Sequence, residues 1–117
     1  MVTIAIPDSV TKIGKYAFCE CKSLKKVGIP DSVTTIGEYA FSECSSLKQV
    51  IIPEGVTTIG RAAFSGCSAL TEVIIPESVT RIVYNTFSNC PNLTITCPRG
   101  SYAWQYAEEN NIPVSER

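Results

Sequence analysis

A repeat solenoid is the fold this sequence predicts, and three observations predict it. The first is a period. Ile-Pro stands at Ile6-Pro7, Ile29-Pro30, Ile52-Pro53 and Ile75-Pro76, a step of 23 residues each time. The second is that further columns keep the same step. They are Val10, Val33, Val56 and Val79; Ile13, Ile36, Ile59 and Ile82; Phe18, Phe41, Phe64 and Phe87; Cys21, Cys44, Cys67 and Cys90; and Leu24, Leu47, Leu70 and Leu93. The third is a change of texture after Pro98, where the period stops and a helical pattern begins. A unit this short cannot bury its own apolar face, so successive units stack and bury each other's. The period, with Leu-x-x-Val-x-Ile at its heart, belongs to a leucine-rich-repeat right-handed superhelix with a parallel sheet on one face.

Composition agrees. A chain of 117 residues with 44% hydrophobic and 18% charged residues is a globular domain of ordinary size. Ten Lys and Arg against eleven Asp and Glu leave a net charge of −1, which argues against a charge-driven nucleic-acid binder. No apolar run approaches the length of a membrane span. Histidine is absent, which removes His-based triads and His-ligated metal sites.

Each 23-residue unit reads as a β-turn-β piece followed by a short helix. Leu24-Lys25-Lys26-Val27-Gly28-Ile29 alternates apolar and polar residues and reads as a strand. Pro30 ends it, because it has no N–H for the ladder. Asp31-Ser32 suits a turn, and Val33-Thr34-Thr35-Ile36 is β-branched and extended. Gly37 marks a sharp turn with unusual φ/ψ. Glu38 to Cys44 suits one or two helical turns with Ala40, Phe41 and Cys44 inward. The repeat array is expected over residues 1–98, as about four full repeats plus partial ones.

Taken together, Ile-Pro-Asp-Ser-Val-Thr-x-Ile-Gly-x-Tyr-Ala-Phe-x-x-Cys-x-x-Leu-x-x-Val resembles the BspA-type, or Treponema-type, leucine-rich repeat over residues 2 to about 97. The resemblance implies a surface or secreted protein and a role in adhesion or in binding host or neighbouring-cell proteins. It is specific for fold and much less so for function.

The ends differ from the middle. One residue is lost after Leu93, so Cys97-Pro98 replaces Ile-Pro. Over 99–117 a capping helix is expected. Ser101 is its N-cap, Tyr102, Ala103, Tyr106 and Ala107 share a face with Trp104 beside them, and Asn110-Asn111 close it before Pro113. At the other end Met1 to Pro7 begins inside a strand with no signal-peptide pattern. This reads as the C-terminal part of a longer array, whose uncapped first rung invites edge-to-edge self-association.

Six cysteines raise zinc and disulfide readings. Four of them occupy one column, and ligands on four stacked rungs would spread over roughly 14 Å, given ~4.8 Å per rung. Zinc needs four ligands around one point at about 2.3 Å. A core ladder of small hydrophobic thiols fits the spacing better, with pairing between adjacent rungs the alternative. Cys19 replaces the serine of later units and is either reactive or a neutral exchange; Cys97 takes an isoleucine's place in the core.

In the strands Val27 and Ile29 point inward, so Lys26 and Gly28 point out. Two outward columns follow: Thr3, Lys26, Gln49, Glu72 and Thr94; and Ala5, Gly28, Ile51, Ile74 and Thr96. Ile51 and Ile74 form an exposed apolar pair within a polar rim, and Lys26, Gly28, Gln49, Ile51, Glu72 and Ile74 are the candidate protein-binding residues. The competing explanation is that β-branched residues merely favour strands. Lysines gather in the first unit and acidic residues later, which reads mainly as a solvated surface. Tyr16 and Tyr39 share a column that reads as packing between rungs or a small aromatic strip.

Catalysis finds no support. There is no phosphate-cradling glycine loop, no convergent carboxylate pair, and Ser9, Ser32 and Ser78 have no base partner. No cofactor and no metal are expected. A non-catalytic binding module of an extracellular or cell-surface protein is the leading reading. A structural spacer, or an accessory region of a larger secreted protein or enzyme, is the alternative.

Overall fold

The computed structural model describes residues 2–117; the expected strand start at Met1 lies outside them. In chain order the elements are β1 (Val2–Ala5), β2 (Lys12–Ile13), β3 (Leu24–Gly28), β4 (Thr35–Ile36), β5 (Gln49–Ile51), β6 (Thr58–Ile59), β7 (Glu72–Ile74), β8 (Arg81–Ile82), β9 (Thr94–Cys97), α1 (Tyr102–Glu109) and β10 (Val114–Glu116). All strand pairing is parallel. Each coil therefore places one strand on a wide side and a two-residue strand on a second side. The repeat step reappears as register: Ile51 lies opposite Ile74, and Ile36 opposite Ile59. The deletion after Leu93 is absorbed there, so Thr94 pairs with Glu72 and Thr96 with Ile74.

The third side differs from the expected short helix. From Glu38 to Cys44 the chain is a run of turns in which Tyr39 (φ 58°) and Glu43 (φ 62°) are left-handed. The same two columns are left-handed throughout: Tyr16, Tyr39, Ala62 and Asn85, then Glu20, Glu43, Gly66 and Asn89. No α-helix tolerates that conformation every fourth residue. The backbone bonds instead to the next rung, as in Phe18 N–H to Ala40 O (2.7 Å) and Phe41 N–H to Ala63 O (2.7 Å). Alternate amides make these rung-to-rung bonds, and those between them reach back three residues to close turns, as in Ala40 N–H to Gly37 O (3.2 Å), which keeps the coil flat enough to stack.

Gly37 and Gly60 are also not in the left-handed region; Gly66 and Gly100 are the glycines that are. Their role is close approach. A Cβ on Gly37 would lie 2.7 Å from the Ile13 carbonyl oxygen, and one on Gly60 2.6 Å from the Glu38 nitrogen. Backbone of one rung passes where a side chain would stand on the next.

The interior is one column of aligned side chains. Phe18, Phe41, Phe64 and Phe87 stack at 5.2, 5.3 and 5.6 Å between ring centres. Leu24, Leu47 and Leu70, the isoleucine column and Cys44, Cys67 and Cys97 are buried around them. Such offset ring stacks add to the gain from burial itself.

Helix α1 covers the last rung. Ser101 Oγ accepts from Trp104 N–H at 3.2 Å, so the expected N-cap is present. Ala103 and Ala107 are buried, and Tyr106 meets Phe87 edge-on at 6.3 Å, ending the phenylalanine stack. The Tyr102 hydroxyl accepts from Ile82 N–H at 3.3 Å. Past left-handed Asn111 and Pro113, the chain returns as β10 along β9, an element the sequence pattern does not announce.

Candidate binding face

The two outward columns fall where the alternation places them except at Thr96, which is buried beside β10 with its hydroxyl on Glu72. Lys26, Gly28, Gln49 and Ile51 are exposed, while Glu72 and Ile74 are half-buried. Register brings Thr3 opposite Lys26, Ala5 opposite Gly28, Gln49 opposite Glu72 and Ile51 opposite Ile74. Ile51 is 55% exposed and lies in register with the half-buried Ile74. Beside this apolar pair the Glu72 carboxylate is held from both sides. Gln49 Nε2 donates to it at 2.7 Å and Thr96 Oγ1 at 2.8 Å. The face thus presents an apolar pair next to a carboxylate fixed in place by its neighbours.

The sheet is not continuous. β1 pairs only with β3, and β5, β7, β9 and β10 form a separate four-stranded sheet. A hollow of about 630 Å³ lies at the interruption, over Ala5 and Gly28, with Ile51 and Pro53 in its wall and Lys25, Lys26 and Lys48 around it. A smaller hollow of about 340 Å³ lies at the proline corner by Ile74, Pro76 and Pro98. The candidate residues therefore divide: Lys26, Gly28, Gln49 and Ile51 line the larger hollow, and Ile74 lines the smaller one, whose wall Ile51 shares.

The turn side carries a second polar cluster. Lys15, Glu38, Arg61 and Tyr84 share one column at the repeat step. Lys15 Nζ lies 2.8 Å from Glu38 Oε1, Arg61 Nη2 3.6 Å from Glu38 Oε2, and Arg61 Nη1 3.2 Å from the Tyr84 hydroxyl. Tyr16 and Tyr39 stack at 5.0 Å, and the Arg61 guanidinium lies 5.4 Å from the Tyr39 ring centre. The hydrogen bond from Lys15 holds the Glu38 carboxyl below its usual range, and the same contact raises Lys15. Within this cluster the Arg61 Nη atoms are partnered, while its Nε is buried without a hydrogen-bond partner.

The cysteines form a line. Cys44, Cys67 and Cys90 each donate from Sγ to a phenylalanine carbonyl 26 residues earlier, at 3.2, 3.1 and 3.2 Å. All six thiols are free. Burial pushes Cys44 and Cys90 up to about 11 and raises Cys67 as well. Cys19 is raised too, by desolvation first, so it lacks the lowered pKa of an activated nucleophile. The serine column is likewise structural. Ser32 Oγ donates to Val10 O at 2.7 Å and Ser78 Oγ to Val56 O at 2.8 Å.

Comparison with known sequences turns this geometry into a family assignment. The BspA type leucine rich repeat region matches residues 1–107 in six copies. The chain belongs to the BspA-type leucine-rich repeat family. A leucine-rich cell surface protein from Faecalibacterium prausnitzii is 39% identical, with a TM-score of 0.82 over 92% of this chain and 28% of its own. A leucine-rich repeat protein from Bacteroides ovatus is 30% identical, with a TM-score of 0.84 over 98% of this chain and 30% of its own. The leucine-rich repeat protein of T. pallidum, at 24% identity and a TM-score of 0.68 over 80% of this chain and 57% of its own, shares the fold. The chain spans less than a third of the length of the first two structures. No curated protein matches it. These BspA-type repeats indicate no enzymatic family, and no helix among the described residues is long and apolar enough to cross a membrane.

Proposed function

We propose that this BspA-type array is a non-catalytic protein-binding or adhesion module of a cell-surface or secreted protein, contacting its partner through the outer face of the wide sheet. Residues 1–98 act as the scaffold and 99–117 as its lid. The observation that carries this reading is the Ile51–Ile74 pair. Two isoleucines stand in register on the outside of a rigid sheet, one of them more than half exposed, beside a carboxylate locked by Gln49 and Thr96. A preorganised apolar pair with a polar rim is how a binding surface limits its entropy cost. The related protein from F. prausnitzii is described as a cell surface protein, which supports an extracellular setting.

The test is binding of the chain to a panel of purified extracellular-matrix and bacterial surface proteins, measured by surface plasmon resonance. For a partner that binds, Ile51→Lys with Ile74→Lys weakens affinity by about tenfold or more, because the contact loses apolar burial at its centre. The unfolding midpoint stays unchanged. Undiminished binding by the double variant excludes this face.

A further inference from the structure

The outer face changes character along the stack. Its second column runs Ala5, Gly28, Ile51, Ile74. Where the side chain shrinks to a methyl and then to nothing, the hollow of about 630 Å³ opens against Ile51 and Pro53. The main-chain ladder is interrupted at the same place. One rung further on, Thr71 N–H reaches Lys48 O at 2.9 Å and Ile52 N–H reaches Ile74 O at 2.9 Å. The equivalent bonds between β3 and β5, from Lys48 N–H to Lys25 O and from Ile29 N–H to Ile51 O, are not made. Both other sides of the coil remain bonded here, as in Thr57 N–H to Thr34 O at 2.9 Å and Glu43 N–H to Ser65 O at 2.7 Å. Lys25, Lys26 and Lys48 surround the opening, all exposed and, among the described residues, without an ion pair. Lys25 and Lys48 are one repeat step apart, so like charges face each other across the gap, which disfavours closing it. Asp31 is the one carboxylate at its edge.

Resting on the sheet-face reading above, we propose that this hollow takes an extended acidic peptide segment of the partner protein. An apolar side chain of the segment fills the space over Gly28 against Ile51 and Pro53. Carboxylates on the alternate positions meet the three lysine ammonium groups. The alternate side chains of an extended segment supply the specificity of such a contact. Charge of the opposite sign speeds encounter and fixes the choice of partner.

The probe is a synthetic peptide of alternating Glu and Val, titrated at low salt into the full 15N-labelled chain, with a Lys-Val peptide and dextran sulfate as comparisons. Saturable shifts of the Ile29 and Lys48 amides with the acidic peptide alone are expected. Gly28→Val is the decisive variant, because a Cβ there has its nearest neighbours at 4.0 Å and fits without displacing anything. Its isopropyl group occupies the space over position 28 that the segment's apolar side chain needs, and it is expected to keep the fold and remove the saturable shifts. Lys26→Glu with Lys48→Glu lowers affinity for the acidic peptide about fivefold or more. Absence of saturable shifts at millimolar acidic peptide, or binding untouched by Gly28→Val, overturns the proposal. Equal shifts with dextran sulfate overturn the peptide assignment in favour of an acidic glycan. Ile74→Lys lies outside the hollow and separates the two readings. A protein partner whose binding falls with Ile74→Lys but not with Gly28→Val leaves the sheet face standing and refutes the acidic-peptide hollow.

Discussion

The Cys67 thiol donates a hydrogen bond to the Phe41 carbonyl, 3.1 Å away and 26 residues earlier in the chain. The same bond joins Cys44 to Phe18 and Cys90 to Phe64. The thiol column is thus a set of rung-to-rung ties that also fill space in the core. Cys67→Ala removes one of the two donors to the Phe41 carbonyl, which keeps the Cys44 N–H at 3.3 Å, and opens a small cavity; it costs about 1–2 kcal/mol in urea unfolding. Cys67→Ser keeps a donor of similar size and costs less. An alanine variant as stable as the parent would show that the tie contributes nothing.

Alkaline pH weakens the fold through the same groups. Burial raises Cys44 and Cys90 to about 11 and shifts Cys67 in the same direction, whereas an unfolded thiol ionises near pH ~8.5. The folded state thus prefers the neutral thiols. Their contribution is complete below about pH 8.5 and is lost as pH rises toward about 11. Urea midpoints should fall more steeply between pH 8 and 10.5 for the parent than for the Cys44→Ser, Cys67→Ser, Cys90→Ser triple variant. Parallel curves for the two would contradict this.

Two glycines in one column predict opposite outcomes. Gly60→Ala drives a Cβ to 2.6 Å from backbone of the neighbouring rung and should destabilise by about 2 kcal/mol or more, whereas Gly14→Ala meets nothing within 4 Å and should be neutral to slightly stabilising. Thermal unfolding of the two single variants decides the matter. Equal midpoints would contradict the close approach of the rungs at Gly60.

Helix α1 depends on its cap. Ser101→Ala deprives Trp104 N–H of its acceptor and should cost about 1 kcal/mol. Amide exchange should quicken over α1 first, ahead of the middle rungs. Uniformly faster exchange along the chain would mean that the helix unfolds only with the whole stack.

Much of this was legible because the repeat turns one physical constraint into a column. The burial of Val50, Phe64 and Leu70, the outward columns through Ile51 and Ile74, and the Ser101 cap all follow from phase and residue type. The turn side was not legible. Tyr16, Glu20, Tyr39 and Glu43 are left-handed though none is glycine, and local propensity read the segment as helical. Only Gly66, Asn85 and Asn89 in the same columns carry the signal, since those residue types accept that conformation most readily. The interruption between β3 and β5 is also not legible, because Lys25, Gly28, Lys48 and Ile51 keep the repeat phase that pairs strands elsewhere in the stack. β10 escaped notice because it follows Pro113 as three residues with a single apolar member.

The account stands on the aligned interior, and ring-to-ring proton NOEs test it most directly. Nuclear Overhauser contacts should link Phe18 to Phe41, Phe41 to Phe64, Phe64 to Phe87 and Phe87 to Tyr106 in one unbroken series, with none between Phe18 and Phe64. A missing link in that series, or a contact that skips a rung, would contradict the stacked-coil arrangement from which the binding face follows.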